Sequence, residues 1–225
     1  MVYAWLFPAI LALLSLAVNL LFPGIDFTPD VENSIIFERL KNILPPEKIL
    51  EMKNSTANQP LNPLAIAILS GLIGGPTVNA IAAMGEESGW RGFLQRELAY
   101  LGFWRSSLLI GVIWGIWHAP IIYQGYNYPE HPLTGIFMMV VLCTLLAPIV
   151  SFVRLKAKSV VAAAVLHGSF NGTAGITLMV LHGGSDLNTG VLGAAGFIVM
   201  FAVNLLIFFV IRKEPMEILE HSQKS

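Results

Sequence analysis

The stretch LTGIFMMVVLCTLLAPIVSFV, residues 133–153, decides the class of fold because it contains no charged side chain. About 20 predominantly apolar residues are enough for a helix to cross the hydrocarbon core of a bilayer. Six stretches, including this one, approach that length: residues 2–22, 63–85, 106–123, 133–153, 159–181 and 191–211. Of the 225 residues, 55% are hydrophobic and 12% are charged, about half the charged share of an ordinary soluble domain. The sequence therefore predicts an all-α, polytopic transmembrane helix bundle of about six spans.

The basic residues near these spans predict the orientation of the chain. They fall into three groups: Arg91, Arg96 and Arg105; Arg154, Lys156 and Lys158; and Arg212 and Lys213. The turns at 124–132 and 182–190 contain neither Lys nor Arg. Cytoplasmic loops of membrane proteins carry an excess of Lys and Arg. We therefore expect a multi-pass protein of a cell membrane, with the three basic segments and both N- and C-termini cytoplasmic.

The spans divide the chain into three parts. Residues 1–62 contain the first span and an external loop, in which SIIFERLKNIL has the apolar spacing of a helix that lies along a membrane surface. Residues 63–211 form the core, and residues 212–225 form a cytoplasmic tail. The single cysteine, Cys143, lies in an apolar run and is expected to be a small buried side chain. The net charge of −1 favours no nucleic-acid partner.

The first unusual feature within the spans is Glu86-Glu87-x-x-x-Arg91, at the cytoplasmic end of the second span. Ionisable groups inside a membrane are costly and usually functional. Glu87 and Arg91 are four residues apart, so on a helix they face each other and form an ion pair. Glu86 points about 100° away around the helix axis and lacks that partner. The spacing predicts one neutralised carboxylate and one carboxylate that is free to act as a base.

Two further polar pairs lie in the third and fifth spans, Trp114-x-x-x-His118 and His167-x-x-x-Asn171. Counted from the cytoplasmic side, His118 lies about 18 Å and His167 about 12 Å along its helix. Asn171 shares a helix face with His167 because the two are four residues apart. Each pair alone has a structural explanation, since Asn and His also tie membrane helices together. Their compatible depths predict that Glu86, His118, His167 and Asn171 meet in the cytoplasmic half of the bilayer.

These residue types together fit hydrolysis of an amide bond. A carboxylate and an imidazole can bind and deprotonate one water molecule, while a second imidazole and a carboxamide can donate hydrogen bonds to a developing oxyanion. Two other classes of function stay open. A proton-coupled transporter also uses intramembrane Glu and His, but matched broken helices in two halves of the chain are expected of it, and none is evident. A non-catalytic membrane scaffold or regulator needs no complete set of this kind.

The three clusters, in this order, resemble the CPBP family, named for CAAX proteases and bacteriocin-processing enzymes and also known as the abortive-infection family. The family pattern is Glu-Glu-x-x-x-Arg, then an aromatic residue (usually Phe) four positions before His, then His-x-x-x-Asn or His-x-x-x-Asp. The chain contains all three motifs within residues 63–181, with Trp114 in place of the usual Phe. The first span and the 24–62 loop lie outside the resemblance.

The resemblance implies a role for each residue. Glu86 and His118 would activate the attacking water, and His167 and Asn171 would bind the oxyanion. Three residues would support the site: Glu87, Arg91 and Trp114. The implied activity is that of an intramembrane endopeptidase, a membrane-embedded hydrolase. Its substrate would be a prenylated CAAX-type C-terminus or a leader or bacteriocin-like peptide, met among membrane lipid at the cytoplasmic side.

Spacing alone leaves a metal ion open, since Glu86, His118 and His167 could ligate Zn²⁺ with a water in the fourth position. The type II CAAX endopeptidases that the chain resembles are viewed as metal-independent glutamate proteases. The chain has no HExxH helix, and Asn171 beside His167 suits an oxyanion site better than a metal site. We therefore expect no cofactor, with Zn²⁺ as the alternative.

Overall fold

The computed structural model describes residues 1–57 and 61–213. Eleven α-helices lie in these residues: α1 (Val2–Asn19), α2 (Ile35–Ile43), α3 (Pro46–Ala57), α4 (Pro63–Gly74), α5 (Ala80–Glu87), α6 (Gln95–Glu97), α7 (Gly102–Trp117), α8 (Ala119–Tyr123), α9 (Pro132–Ala157), α10 (Val160–Thr173) and α11 (Ala194–Lys213). The described strands are two residues each, β1 (Asp26–Phe27) and β2 (Leu181–His182), and they pair antiparallel. The predicted all-α helix bundle is confirmed. Most of the predicted tail lies outside the described residues.

The second predicted span is one continuous helix, Pro63–Glu97, in which π-helical segments at Gly75–Asn79 and Ser88–Leu94 separate α4, α5 and α6. Pro76 lies in the first π segment and has no N–H to donate, which frees the carbonyl of Leu72 four residues earlier. The indole N–H of Trp5 on α1 donates to that carbonyl at 2.7 Å. A partner on the neighbouring helix thus satisfies the backbone group that the proline releases, as membrane helices require.

Five of the described helical stretches are long and apolar enough to cross a membrane: Val2–Asn19, Pro63–Glu97, Ala99–Trp117, Pro132–Ala157 and Ala194–Arg212. The predicted fifth span at 159–181 differs, because its helix α10 has only 14 residues and is followed by a 3₁₀ turn at Ile176–Met179. At 1.5 Å per residue, α10 is about 21 Å long, shorter than a bilayer core. Ten of its 14 residues are buried, because it packs against α1, α4, α5 and α9. It is an interior helix, and this explains its apolar sequence.

Glycines allow α10 to approach the long helix closely. A Cβ on Gly75 would lie 2.7 Å from Cα of Ser169, and a Cβ on Gly168 would lie 2.6 Å from Cα of Ala80. Small residues permit such backbone contact between membrane helices. The contact places the Glu86 segment of the long helix beside the His167 segment of α10.

The predicted surface helix in the 24–62 loop is present as α2, and Ser34 caps it by accepting a hydrogen bond from the Phe37 N–H. Ile35 of α2 is buried in a small apolar cluster with Leu178 and Leu181. Since this helix packs on the end of the bundle near β2, its helical character is confirmed. Its position along the membrane surface stays a prediction, as do the membrane orientation and the side on which the termini lie.

Candidate active site

One cavity of about 500 Å³ is lined by all four residues that were predicted to be catalytic: Glu86, His118, His167 and Asn171. They come from three separate parts of the bundle, namely α5, the junction between α7 and α8, and α10. Asn171 is exposed, Glu86 and His118 are half-buried, and His167 is buried. The structure therefore brings together side chains that are up to 85 positions apart in the sequence, from residue 86 to residue 171.

Glu86 faces the cavity and carries no ion pair with any described residue. Its Oε2 accepts a hydrogen bond from the indole N–H of Trp114 at 2.9 Å. One neutral donor orients the carboxylate and leaves Oε1 available to the cavity. The prediction that Glu86 lacks the Arg91 partner agrees with this geometry.

Glu87 and Arg91 are both completely buried, and Oε1 of Glu87 lies 2.9 Å from Nη1 of Arg91. The expected ion pair is present. The same Oε1 also lies 3.0 Å from Nδ1 of His167, a contact that helical spacing alone does not predict. Glu87 thus joins the long helix to α10, in addition to neutralising Arg91.

The hydrogen bonds of the two histidines fix where their protons lie. His118 Nδ1 is 2.9 Å from the carbonyl oxygen of Trp114, and a carbonyl can only accept. The proton of a neutral His118 is therefore on Nδ1, and Nε2 carries the lone pair that a base needs. His167 Nδ1 likewise donates to the Glu87 carboxylate. A neutral His167 presents an acceptor at Nε2, so it donates to an oxyanion only as the imidazolium.

Trp114 is buried and contacts four charged or ionisable side chains of the site. The Arg91 guanidinium lies over its ring at 4.8 Å, and His167 meets the ring edge-on at 5.1 Å. Its indole N–H donates a hydrogen bond to Glu86, and its backbone carbonyl accepts one from His118. The expected aromatic wall beside His118 is present, and Phe, the residue usual in the resembling motif, would keep the wall but not the N–H.

The family comparison matches residues 62–173 of this chain to the model described as type II CAAX prenyl endopeptidase Rce1-like. A curated protein from Methanococcus maripaludis, "CAAX prenyl protease 2", is 37% identical over 49 residues, which cover 21% of this chain and 18% of that protein. The chain thus spans less than a fifth of that relative in the match. No solved structure is significantly similar to the chain.

Both findings support assignment to the CPBP family. The matched region contains all seven residues of the predicted site and its support: Glu86, Glu87, Arg91, Trp114, His118, His167 and Asn171. It leaves out α1 and nearly all of the 24–62 loop, as the resemblance predicted. The CPBP-like region therefore supplies most of the side chains that line the cavity.

The lining of the CPBP-like cavity ranges from buried to exposed side chains. Cys143, Leu146 and His167 are buried, which confirms Cys143 as a small buried side chain. Toward one end of the bundle the lining includes Tyr126, which is 58% exposed, and Leu192 just before α11. We call this end, with the turn 124–131 and the segment 182–193, the loop end. It lies opposite the basic segments.

The loop end bears on two of the predictions made from the sequence. The orientation of the basic segments and the side from which a substrate reaches the cavity both stay predictions.

A second cluster of ionisable side chains stabilises the loop end. Buried Asp186 accepts hydrogen bonds from the backbone N–H groups of Glu130 and His131 and from His131 Nδ1 at 2.7 Å. Nearby, the Tyr128 hydroxyl donates to the Leu192 carbonyl at 2.8 Å, and burial raises the pKa of this tyrosine. These bonds tie the turn 124–131 to the segment before α11 and explain the cluster as structural.

The predicted alternative metal set can be tested by distance. Tetrahedral Zn²⁺ with bonds of about 2.0–2.2 Å needs ligand atoms about 3.4 Å apart. Among residues 1–57 and 61–213, the group of three whose ligand atoms lie within 4.8 Å of one another is Glu130, His131 and Asp186. The ligand atoms of Glu86, His118 and His167 are not gathered to that degree in this arrangement, and the absence of a cofactor stays a prediction.

Asn79 and Trp117 are among the cavity-lining residues that sequence reasoning missed. Trp117 meets the His118 ring edge-on at 5.0 Å and is 56% exposed. Asn79 was detectable in principle, because it precedes Glu86 by seven residues, about two helical turns, and so lies on nearly the same face.

Proposed function

We propose that this protein is an intramembrane endopeptidase of the glutamate type, in which Glu86 and His118 activate the water that attacks a peptide bond. The observation that carries the proposal is the unequal environment of the two adjacent glutamates. Glu86 faces the cavity with one neutral donor, whereas Glu87 is buried against two cationic or basic partners. A free carboxylate and a histidine with a lone pair at Nε2 supply the two acceptors that hold a nucleophilic water.

The reaction balances with these residues alone. Glu86 and His118 each accept a hydrogen bond from the same water molecule. As the oxygen of this water attacks the peptide carbonyl carbon, Glu86 takes a proton from it. The π pair moves onto the carbonyl oxygen, where the Asn171 carboxamide donates a hydrogen bond to the new charge. As the tetrahedral intermediate collapses, the C–N bond breaks and the proton passes from Glu86 to the leaving nitrogen.

Metal independence is part of this proposal. The distances do not suit a zinc site built from Glu86, His118 and His167. The carboxylate acts as the general base and the carboxamide donors stabilise the developing charge, so the reaction needs no Lewis acid. The proposed cofactor requirement is therefore none.

The proposed substrate class is a peptide segment that reaches the membrane, either a prenylated CAAX-type C-terminus or a leader or bacteriocin-like peptide. The support is the similarity to proteins named CAAX prenyl endopeptidase or protease, together with a cavity that combines polar groups with apolar walls such as Met139 and Leu142. We take the loop end as the entrance, so a cytoplasmic substrate is expected with a cytoplasmic loop end and an exported peptide with an external one.

The decisive experiment uses the full chain, purified in detergent and reconstituted in liposomes, with a prenylated CAAX peptide and a leader peptide as substrates. Glu86→Gln serves as the control for contaminating proteases. Cleavage that depends on Glu86 establishes the activity, and the preferred peptide identifies the class. Equal cleavage by the parent protein and Glu86→Gln would refute the proposal and favour a non-catalytic scaffold.

Membrane topology is tested separately in intact cells. Tyr126→Cys marks the loop end and Lys156→Cys marks the basic end, while native Cys143 is buried and stays unlabelled. The positive-inside rule predicts that a membrane-impermeant thiol reagent labels Tyr126→Cys only. Labelling of Lys156→Cys alone would reverse the orientation and place the cavity opening in the cytoplasm.

A further inference from the structure

Asn79 lines the same cavity as Glu86 and Asn171, and no sequence motif pointed to it. It is half-buried at the end of the first π-helical segment, Gly75–Asn79. Its carboxamide has no hydrogen-bond partner among the residues that the structure describes. A carboxamide that lines a cavity without a protein partner is available to bind a ligand there.

The Asn79 carboxamide lies close to the segment that carries Asn171. Its Nδ2 is 3.1 Å from the position that a Cβ on Gly172 would occupy. Gly172 directly follows Asn171 on α10, and the Asn171 carboxamide is likewise without a partner among the described residues. Two free carboxamides from two helices thus face one cavity at the same level of the bundle.

The chemistry of an oxyanion explains why a second carboxamide is needed. Oxyanion sites generally present more than one donor to the charged oxygen. His167 was expected to be the second donor, but its Nδ1 proton is engaged by Glu87. A neutral His167 therefore offers Nε2 as an acceptor only. The carboxamide of Asn79 supplies an N–H that needs no change of protonation.

We propose that Asn79 is a catalytic residue whose Nδ2 donates, together with Asn171, to the oxyanion of the tetrahedral intermediate. This inference rests on the proposed endopeptidase function. As water attacks, the carbonyl oxygen gains the negative charge and both N–H donors shorten their bonds to it. When the C–N bond breaks, the oxygen becomes a neutral carbonyl again and the product peptide leaves.

The test compares three variants of the reconstituted full chain on the peptide that the parent protein cleaves. Asn79→Ala removes the donor, and Asn79→Asp keeps the shape while replacing the donor by an acceptor. Val78→Ala is the matched control, since Val78 is the neighbouring residue of the same π segment and is 70% exposed. We expect both Asn79 variants to lower kcat about 10²-fold with KM changed less than about threefold, and Val78→Ala to behave like the parent.

The double variant Asn79→Ala/Asn171→Ala separates a shared oxyanion site from a packing role. Two donors that stabilise one oxygen lose less together than the product of their single losses, whereas independent packing defects multiply and lower the melting temperature. Unchanged kcat in Asn79→Asp, or a raised KM at normal kcat, would overturn the role of Asn79 while leaving the endopeptidase proposal standing. A parent protein without Glu86-dependent cleavage would overturn both.

Discussion

Glu86 and Glu87 are adjacent in sequence but belong to two different regions of the molecule. The Glu87 region is completely buried, with one carboxylate oxygen shared by Arg91 and His167. The Glu86 region opens into the cavity and holds the carboxylate by one indole N–H. Adjacent residues on one helix point about 100° apart around its axis. This rotation separates a carboxylate that is buried and paired, Glu87, from a carboxylate that faces the cavity, Glu86.

Trp114 and His167 connect the two regions. Trp114 places its ring under Arg91 and its N–H on Glu86, while His167 has its Nδ1 on Glu87 and lines the cavity. The Glu87 region therefore positions the side chains of the Glu86 region, for which catalysis is proposed. Defects in the first are expected to reduce stability, and defects in the second are expected to reduce turnover.

The largest expected effect is that of Glu86→Gln. The substitution keeps the size and a hydrogen-bonding side chain but removes the base, so we expect kcat to fall by about 10³-fold or more with a melting temperature close to the parent value. Specific activity and melting temperature of the purified variant measure this. A stable Glu86→Gln enzyme with normal turnover would break the comparison.

Asn171→Ala is expected to have the next largest effect. Loss of one oxyanion donor lowers kcat by about 10²–10³-fold, with little change in KM. Steady-state kinetics on the cleaved peptide separate the two parameters. If Asn171→Ala leaves kcat unchanged and raises KM, Asn171 holds the substrate and does not stabilise the intermediate.

Glu87→Gln is expected to act mainly on stability. It leaves the buried Arg91 without its counter-charge and weakens the bond to His167, and breaking a buried pair costs about 3–5 kcal/mol. We expect a clearly lower melting temperature, with turnover surviving in the protein that still folds. The reverse pattern, a stable and inactive Glu87→Gln beside an unstable and active Glu86→Gln, would exchange the two roles.

Trp114→Phe is expected to give a smaller effect that sharpens the link between the regions. The ring remains beside Arg91 and His167, but the hydrogen bond to Glu86 is lost. A hydrogen bond to a charged group contributes about 1.5–3 kcal/mol, so we expect kcat to fall about 10-fold to 10²-fold while the melting temperature changes little. A large loss of stability with normal kcat would show that the indole N–H serves packing alone.

Chelation is expected to have no effect on activity. Since the proposed chemistry uses a carboxylate, an imidazole and carboxamides, prolonged treatment with phenanthroline should leave cleavage unchanged. The metal content of the purified protein, measured alongside, provides the control. Activity that is lost and then restored by Zn²⁺ alone would reassign Glu86 and His118 to a metal site.

The sequence by itself determined the class of fold and identified four polar side chains that line one cavity, Glu86, His118, His167 and Asn171. Long uncharged stretches such as residues 133–153 are stable as helices in a bilayer, and the four-residue spacing of Glu87 and Arg91 is a local property of one helix. It did not determine where α10 ends, because apolar residues continue beyond Thr173 into the 3₁₀ turn at Ile176–Met179.

Only the tertiary structure decided which side chains of the site contact one another. The bond between His167 and Glu87 joins residues 80 positions apart, and the bond between Trp114 and Glu86 joins residues 28 positions apart. The free carboxamide of Asn79 beside Gly172 depends on the close packing of α10 on the long helix. Contacts of this kind are set by how helices pack, which a pattern read along one helix does not contain. The partner of His167 Nδ1 follows from that packing.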